Sequence, residues 1–459
     1  MTYAPNSLAA RDVAYTLHPY TNLAVHEQQG PLTITRGEGI YVLDDEGNRY
    51  IEGLAGLWCT SLGFSEKRLV QAATRQLETL PYSHLFAHRS TQPVIELAEA
   101  LIKIAPEPMA KAFFVNSGSE AVDTAIKLVW YYNNALGRRE KKKIIARRRA
   151  YHGVTVAAAS LTGLAMVHDD FDLPRPGFLH TDTPCYYRYA EPGESEEAFA
   201  TRLADNLDAL IRAEGPDTVA AFIAEPVMGA GGVIPPPATY FEKVQAVLER
   251  YDVLMIADEV ICGFGRTGNP WGSQTYGVRP DIVTCAKQLS SGYLPIGAVM
   301  VSDPVYQALL DESRKLGIFG TGYTYGGHPV SAAVALETLR IYEERDLLGH
   351  VRAVTPRFQE RLRMLGEHPL AGDARGVGLI GAVELVADKH TKTQYPTERG
   401  AAKLAFAKAL RHGLIVRPLP LDAVGVCPPL IVTEAEIDEI FDRLQRALDD
   451  AHSELTQAA

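Results

Sequence analysis

MIADEVICGFGRTG, residues 255–268, supports two incompatible readings. Its second half matches G-x-G-x-x-G, the fingerprint of dinucleotide-binding folds. Its first half ends an apolar run on Asp258. A true fingerprint occupies the turn between a strand and a helix, so that the helix N-terminus meets the pyrophosphate. Here the apolar run VLMIA stops five residues before Gly263, and Gly268 is followed by Asn269-Pro270-Trp271-Gly272, a turn. The next acidic candidate, Asp281, opens an apolar run after Arg279-Pro280 instead of closing one. The glycines therefore read as a loop, and the aspartate at the strand end becomes the residue to explain.

Working outward, VLMIA (253–257) is one of several short apolar runs, with AFFV (112–115), VAAFIA (219–224), IVTCA (282–286) and IGAVMV (296–301). Stretches such as LVQAATRQLETL and VIELAEALIKIA, with apolar residues three and four apart, lie between them and read as helices. Short apolar strands alternating with helices predict an α/β fold whose mainly parallel sheet is covered on both faces. Residues 39–56 read as two short strands around the turn Asp45-Glu46-Gly47-Asn48. Beyond about residue 330 helices lead to strands at 378–385 and 413–417 and a last helix from about Glu434. This predicts three segments: 1–64 packing with a small domain, 65–329 forming the large one, and 330–459 forming the small α+β domain.

Open α/β sheets hold ligands at the carboxyl ends of their strands. After AFFV comes Asn116-Ser117-Gly118-Ser119-Glu120-Ala121, small residues opening a helix, whose free amides and Ser119 hydroxyl would cradle a phosphate. Glu225-Pro226 follows VAAFIA, Asp258 follows VLMIA, and Lys287 follows IVTCA. Tyr151-His152-Gly153 lies between the first two strands. A phosphate cradle, an aromatic ring, two carboxylates and a buried-run lysine fit pyridoxal phosphate better than any other cofactor. That group needs an amine for its aldehyde, an acid for its ring nitrogen and an anion site.

The bulk numbers exclude other classes. The chain has 459 residues, 45 Lys and Arg against 56 Asp and Glu, and a formal charge of −11. That balance opposes non-specific nucleic-acid binding. The basic run Arg138–Lys143 with Arg147-Arg148-Arg149 lacks interleaved aromatics and reads as a solvated surface. Five scattered cysteines with no C-x-x-C pair favour a reducing compartment over disulfides or zinc. His84 and His88 would share a helix face, but no third ligand is in register, so no metal is expected. No signal peptide or membrane span is read, which makes the cytoplasm the default.

The sequence resembles the class III (omega) aminotransferases among the fold-type I pyridoxal-phosphate enzymes, in the branch that uses amines or omega-amino acids with pyruvate. The matching segments are HPYT (18–21), GLWC (56–59), NSGSEA (116–121), YHG (151–153), EPVMGAGG (225–232), ADEVICGFGRTG (257–268), AKQLSSGYLP (286–295) and GYTYGGHP (322–329). The resemblance implies a seven-stranded sheet, catalytic Lys287 and Asp258, and a cofactor site of Ser117, Gly118, Ser119, Tyr151, His152, Gly153, Glu225, Asp258, Val260, Ile261, Lys287, Tyr323 and Thr324. Lys287 would join the cofactor and carry protons, and Asp258 would hold the ring nitrogen protonated. Tyr151 and Val260 would face the ring from opposite sides. Glu225 would orient Asp258 or the ring hydroxyl. Thr324 would reach the phosphate of the partner subunit, which implies a homodimer with shared active sites and leaves a tetramer open.

The same resemblance implies a substrate pocket of Leu57, Trp58, Phe86, Tyr151, Ala230 and Arg417. Arg417 would bind a carboxylate through a bidentate fork and swing away for an amine lacking one. In the ornithine and GABA branches a glutamate five residues after the EP glutamate neutralises this arginine; here that place is Ala230. The departure favours pyruvate over 2-oxoglutarate as acceptor. A 2-oxoglutarate-linked aminotransferase, a decarboxylating aminotransferase or an aminomutase on the same scaffold stays open, since fold does not choose among them. The partners expected are a small amine donor, with a lean towards (S)-amines, and a keto acid; no nucleic acid and no membrane are expected.

Overall fold

The computed structural model describes residues 3–457. Its centre is a seven-stranded sheet. In spatial order the strands are Met109–Val115, Gly297–Ser302, Ile282–Cys285, Leu254–Asp258, Val219–Ala224, Lys143–Arg147 and Phe178–Thr181. Every neighbouring pair is parallel except the two made by Gly297–Ser302. All six residues of Val219–Ala224 and all five of Leu254–Asp258 are buried. Covered on both faces, these strands need no polar alternation, which is why they read as unbroken apolar runs. The fold is the mixed α/β architecture expected.

Two sheet strands escaped the sequence reading. Lys143–Arg147 lies inside the basic run taken as a solvated surface, and that reading is corrected for part of the run. Lys141 and Arg147 are buried. The Arg147 guanidinium donates to the Glu225 carbonyl at 2.6 Å, and Lys141 Nζ donates to the Tyr251 carbonyl at 2.8 Å. Backbone acceptors thus let two cations enter the core. The second, Phe178–Thr181, is a short edge strand with a partly exposed pattern.

A second body joins both ends of the chain. Arg49–Glu52 pairs in parallel with Leu414–Ile415, and the antiparallel sheet of Ala371–Val377, Ile380–Leu385, Ala423–Val426 and Arg417–Leu419 stands beside it. Ile40, Ile51 and Leu62 share one core with Val383, Leu414, Phe441 and Leu448. The closing helix Glu434–Gln457 buries Ile437, Ile440, Phe441, Leu444, Leu448, Ala451 and Leu455, spaced three and four apart. It begins with a capping box: Thr433 Oγ1 accepts from Glu436 N–H, while the Glu436 carboxylate accepts from Thr433 N–H. Among the described residues no helix is long and apolar enough to cross a membrane.

Candidate active site

The loop that opened the sequence question ties the two bodies together. Gly265 and Gly268 have φ of 110° and 90°, conformations that favour glycine. Arg266 between them is fully buried and donates to the carbonyls of Leu379 and Pro428 and to Gln288 Oε1. Gln288 in turn donates to the carbonyls of Ile261 and Gly263. The next helix, Gly272–Tyr276, has only five residues. The glycines therefore fasten the segment after Asp258 to the segment after Lys287.

Asp258 ends its strand buried. Its Oδ2 is 2.7 Å from His152 Nδ1, and its Oδ1 accepts the Val260 N–H at 3.1 Å. The partner that orients Asp258 is thus His152. Glu225 makes no bond to it: its carboxylate accepts the amides of Tyr151 (3.1 Å) and Gly229 (3.0 Å) and so fixes the backbone that carries the Tyr151 ring. Burial pushes the Glu225 pKa up, as does the Asp258 charge, while His152 and Arg147 oppose the shift.

Lys287 follows the buried strand Ile282–Cys285 with φ 46°, a strained conformation for a side chain with a Cβ. Its Nζ lies 5.3 Å over the Trp58 ring. Burial holds its pKa below the ordinary lysine value, against the pull of Cys59, Asp258 and Glu225. Desolvation thus favours the neutral amine, the form that takes up a proton or attacks a carbonyl.

The cradle is built from the helix Gly118–Ala135. Ser117 caps it through Glu120 N–H, leaving the first-turn amides of Gly118 and Ser119 without an intrahelical acceptor. Ser119 Oγ accepts Val154 N–H at 3.1 Å, so its own proton stays free to donate. Gly153 has φ 134°, and a Cβ there would stand 2.6 Å from Ser119 Oγ. A Cβ on Gly118 would meet Val260 Cγ1 at 3.0 Å. Chain therefore crowds the cradle wherever glycine permits.

Pyridoxal phosphate fits this donor set. There are open amides at a helix start and a hydroxyl for its phosphate, a buried carboxylate for its ring nitrogen, and an amine for its aldehyde. His152 Nε2 and Thr284 Oγ1, the latter on the residue paired with Asp258, are buried with no partner in the chain. Such orphans are costly unless a ligand or water meets them.

The predicted substrate residues divide into two groups. Trp58, Ala230 and Ile261 belong to one apolar cluster, with Tyr151 packed against it. Trp58 is buried with φ 59°, and Leu57 is exposed. The Arg417 guanidinium lies 5.1 Å over Trp58. Burial lowers its pKa, and the nearby hydroxyls of Tyr151 and Tyr20 pull it up; no carboxylate acts on it. Phe86 belongs elsewhere: it packs on Gly322, in the loop of Tyr323 and Thr324. Thr324 is exposed, and its carbonyl accepts the Tyr82 hydroxyl at 2.8 Å. Tyr323 Oη lies 3.3 Å from Thr124 Oγ1, on the cradle helix. His84 and His88 lie in a loop and share no helix face.

One pocket residue was missed. Tyr20, within HPYT, acts electrostatically on both Tyr151 and Arg417. The motif was legible, but nothing in its spacing said that a segment near the N-terminus crosses to a tyrosine 131 positions later.

The family model for aminotransferase class-III matches residues 23–448. Gamma aminobutyrate transaminase 3, chloroplastic, of Solanum lycopersicum is 52% identical over 99% of this chain and 89% of its own length. The omega transaminase of Pseudomonas jessenii in complex with PMP is 55% identical, with a TM-score of 0.96 over 97% of this chain and 98% of that one. A structure described as a transaminase with L-ala is 56% identical, with a TM-score of 0.91 over 92% of this chain and all of that one. The chain belongs to the class-III aminotransferases: it is a pyridoxal-phosphate enzyme that moves amino groups between small amines and keto acids.

Proposed function

We propose that this aminotransferase takes the amino group of an amine or omega-amino acid, releasing an aldehyde or ketone, and delivers it to pyruvate, releasing alanine. The observation that carries this reading is Arg417: a partly buried guanidinium over Trp58, beside an apolar cluster, acted on by two tyrosines and, among the described residues, in no ion pair with a carboxylate. The apolar cluster of Trp58, Ala230 and Ile261 beside one cation suits the methyl and carboxylate of a short keto acid. Ala230 stands where a glutamate would neutralise that cation, and among the described residues Arg417 forms no ion pair. The relative bound to L-ala supports alanine as a ligand of such a site. The tomato relative supports gamma-aminobutyrate as a donor, an omega-amino acid whose remote carboxylate would also pair with Arg417. The acceptor and the donor are separate questions, and Ala230 bears on the acceptor.

When bound, pyridoxal phosphate supplies an aldehyde that takes up the amino group and a ring that withdraws electrons from the substrate carbon. Lys287, whose amine burial biases towards the neutral form, would carry the proton between the substrate carbon and the cofactor's aldehyde-derived carbon. Asp258, held by His152 and the Val260 amide, would pair with the ring nitrogen of the bound cofactor. Gly118, Ser119 and Gly153 hold the phosphate. Tyr151, with Val260 and Ile261, keeps water from the reacting carbon. Arg417 orients the keto-acid carboxylate. Thr324, exposed on its own subunit, would complete the cradle of a partner in a homodimer. Five free thiols support a reducing compartment, for which the cytoplasm is our reading.

The test is the visible spectrum of the purified protein before and after an amine donor, and again after pyruvate. A yellow band that bleaches with amine and returns with pyruvate supports the reading. A band that returns only with 2-oxoglutarate overturns the acceptor.

A further inference from the structure

Before the first strand, the chain runs through helix Leu8–Tyr15, a short connection, and helix Leu23–Gln29. Three side chains converge there. His18 Nε2 lies 2.7 Å from Asp12 Oδ2, and His26 Nε2 lies 3.0 Å from the same oxygen. The three atoms lie within 4.8 Å of one another, and the two imidazole centroids are 4.1 Å apart. Among the described residues this is the one such group of three. Nothing in the aminotransferase chemistry uses it.

We propose that Asp12, His18 and His26 form a binding site for a divalent transition metal, zinc above all, on the strap that carries Tyr20 to the pocket. Two imidazole nitrogens and one carboxylate oxygen are donors that zinc accepts, with a fourth position open to water. Bond lengths of about 2.0–2.2 Å place tetrahedral ligands roughly 3.3 Å apart. The present separations of 2.7 and 3.0 Å need to open by about half an ångström, a side-chain adjustment. The side chains keep 27%, 22% and 10% of their surface exposed for His18, Asp12 and His26, so an ion can enter without unfolding the strap. His18 is two residues from Tyr20, whose hydroxyl acts electrostatically on Tyr151 and Arg417. A bound ion would therefore fasten both helices and the connection between them at the pocket mouth.

The test is equilibrium dialysis of the cofactor-loaded enzyme against zinc chloride, followed by metal analysis, for the wild type, Asp12→Asn and His26→Asn. The yellow band confirms that each variant is folded. One zinc per chain is expected in the wild type, with affinity falling about tenfold or more in each variant, since losing a direct ligand costs no less than losing an outer partner. Hydrogen exchange across residues 12–26 should slow with zinc in the wild type alone. No zinc retained by the wild type overturns the proposal. So does zinc retained equally by all three, which places the ion on the cofactor or elsewhere.

Discussion

Replacing Arg417 with leucine should separate the two half-reactions. Among the described residues the guanidinium donates no hydrogen bond, and it lies 5.1 Å over the Trp58 ring. A cation–π contact of that kind contributes about 0.5–1 kcal/mol, so the fold should survive. The pairing with a substrate carboxylate is worth more. Truncating one member of a buried charge pair costs about 2–5 kcal/mol. Arg417 is only partly buried, and screening by water puts the loss in the lower part of that range. About 2–3 kcal/mol corresponds to a roughly 30- to 150-fold fall in kcat/KM for pyruvate. An amine with no carboxylate loses nothing and gains apolar wall. Single-turnover spectroscopy measures each half separately: bleaching of the yellow form by a plain amine, and its recovery with pyruvate. Equal losses in both halves would show that Arg417 shapes the site without recognising a carboxylate. An unchanged pyruvate reaction would remove it from substrate binding and take the argument for a short keto acid with it.

Lys287→Ala should leave a folded protein that still takes up the cofactor but transaminates at least about a thousandfold more slowly, read as absorbance change on adding amine. Gly153→Ala would force a Cβ to within 2.6 Å of Ser119 Oγ at a φ of 134°, and should weaken cofactor retention on dialysis as well as lower the thermal unfolding midpoint of the cofactor-free protein. Glu52 is buried, with Oε1 unpartnered and Oε2 accepting from Gly56 N–H, and burial raises its pKa to about 8. Because the folded value lies above the unfolded one, its share of stability is present below the usual glutamate range and is lost as pH rises through about 8. Chemical denaturation at about pH 5 and about pH 9 should therefore show Glu52→Gln flattening this loss and exceeding the wild type at the higher pH. Thr324→Ala should lower cofactor affinity with no change in assembly, and an unaltered affinity would remove Thr324 from the partner's cradle.

How much of this could be seen in advance depended on whether a feature was local. The strands Val219–Ala224 and Leu254–Asp258 are buried on both faces, so apolar runs announced them. Lys143–Arg147 has four of its five residues buried, yet its ends are cationic. The sequence could not show that Arg147 finds the Glu225 carbonyl 78 positions away. The strand Ala371–Val377 reads AGDARGV because it lies at a sheet edge, where only its first residue is buried.

The site obeys the same rule. Asp258, Lys287 and the Ser117–Ser119 turn were legible because each closes a strand or opens a helix, positions that chemistry at a sheet's carboxyl edge requires. The partner of Asp258 was not. Glu225 and His152 are both polar and both lie near strand ends, and only the folded chain shows the histidine on Asp258 and the glutamate on the amides of Tyr151 and Gly229. That division matters for the chemistry. A second carboxylate bonded to Asp258 would compete for one proton and raise the pKa of the pair. An imidazole donating through Nδ1 instead leaves Asp258 free to hold its charge against the ring nitrogen. Replacing His152 with phenylalanine would remove that donor and leave two buried carboxylates coupled through a shared low-dielectric interior. The cofactor's yellow band should then lose its protonated-ring form as pH rises, earlier than in the wild type. If the band's pH profile stays where it was, the Val260 amide alone suffices to hold Asp258 in place, and His152 serves only to pack the site.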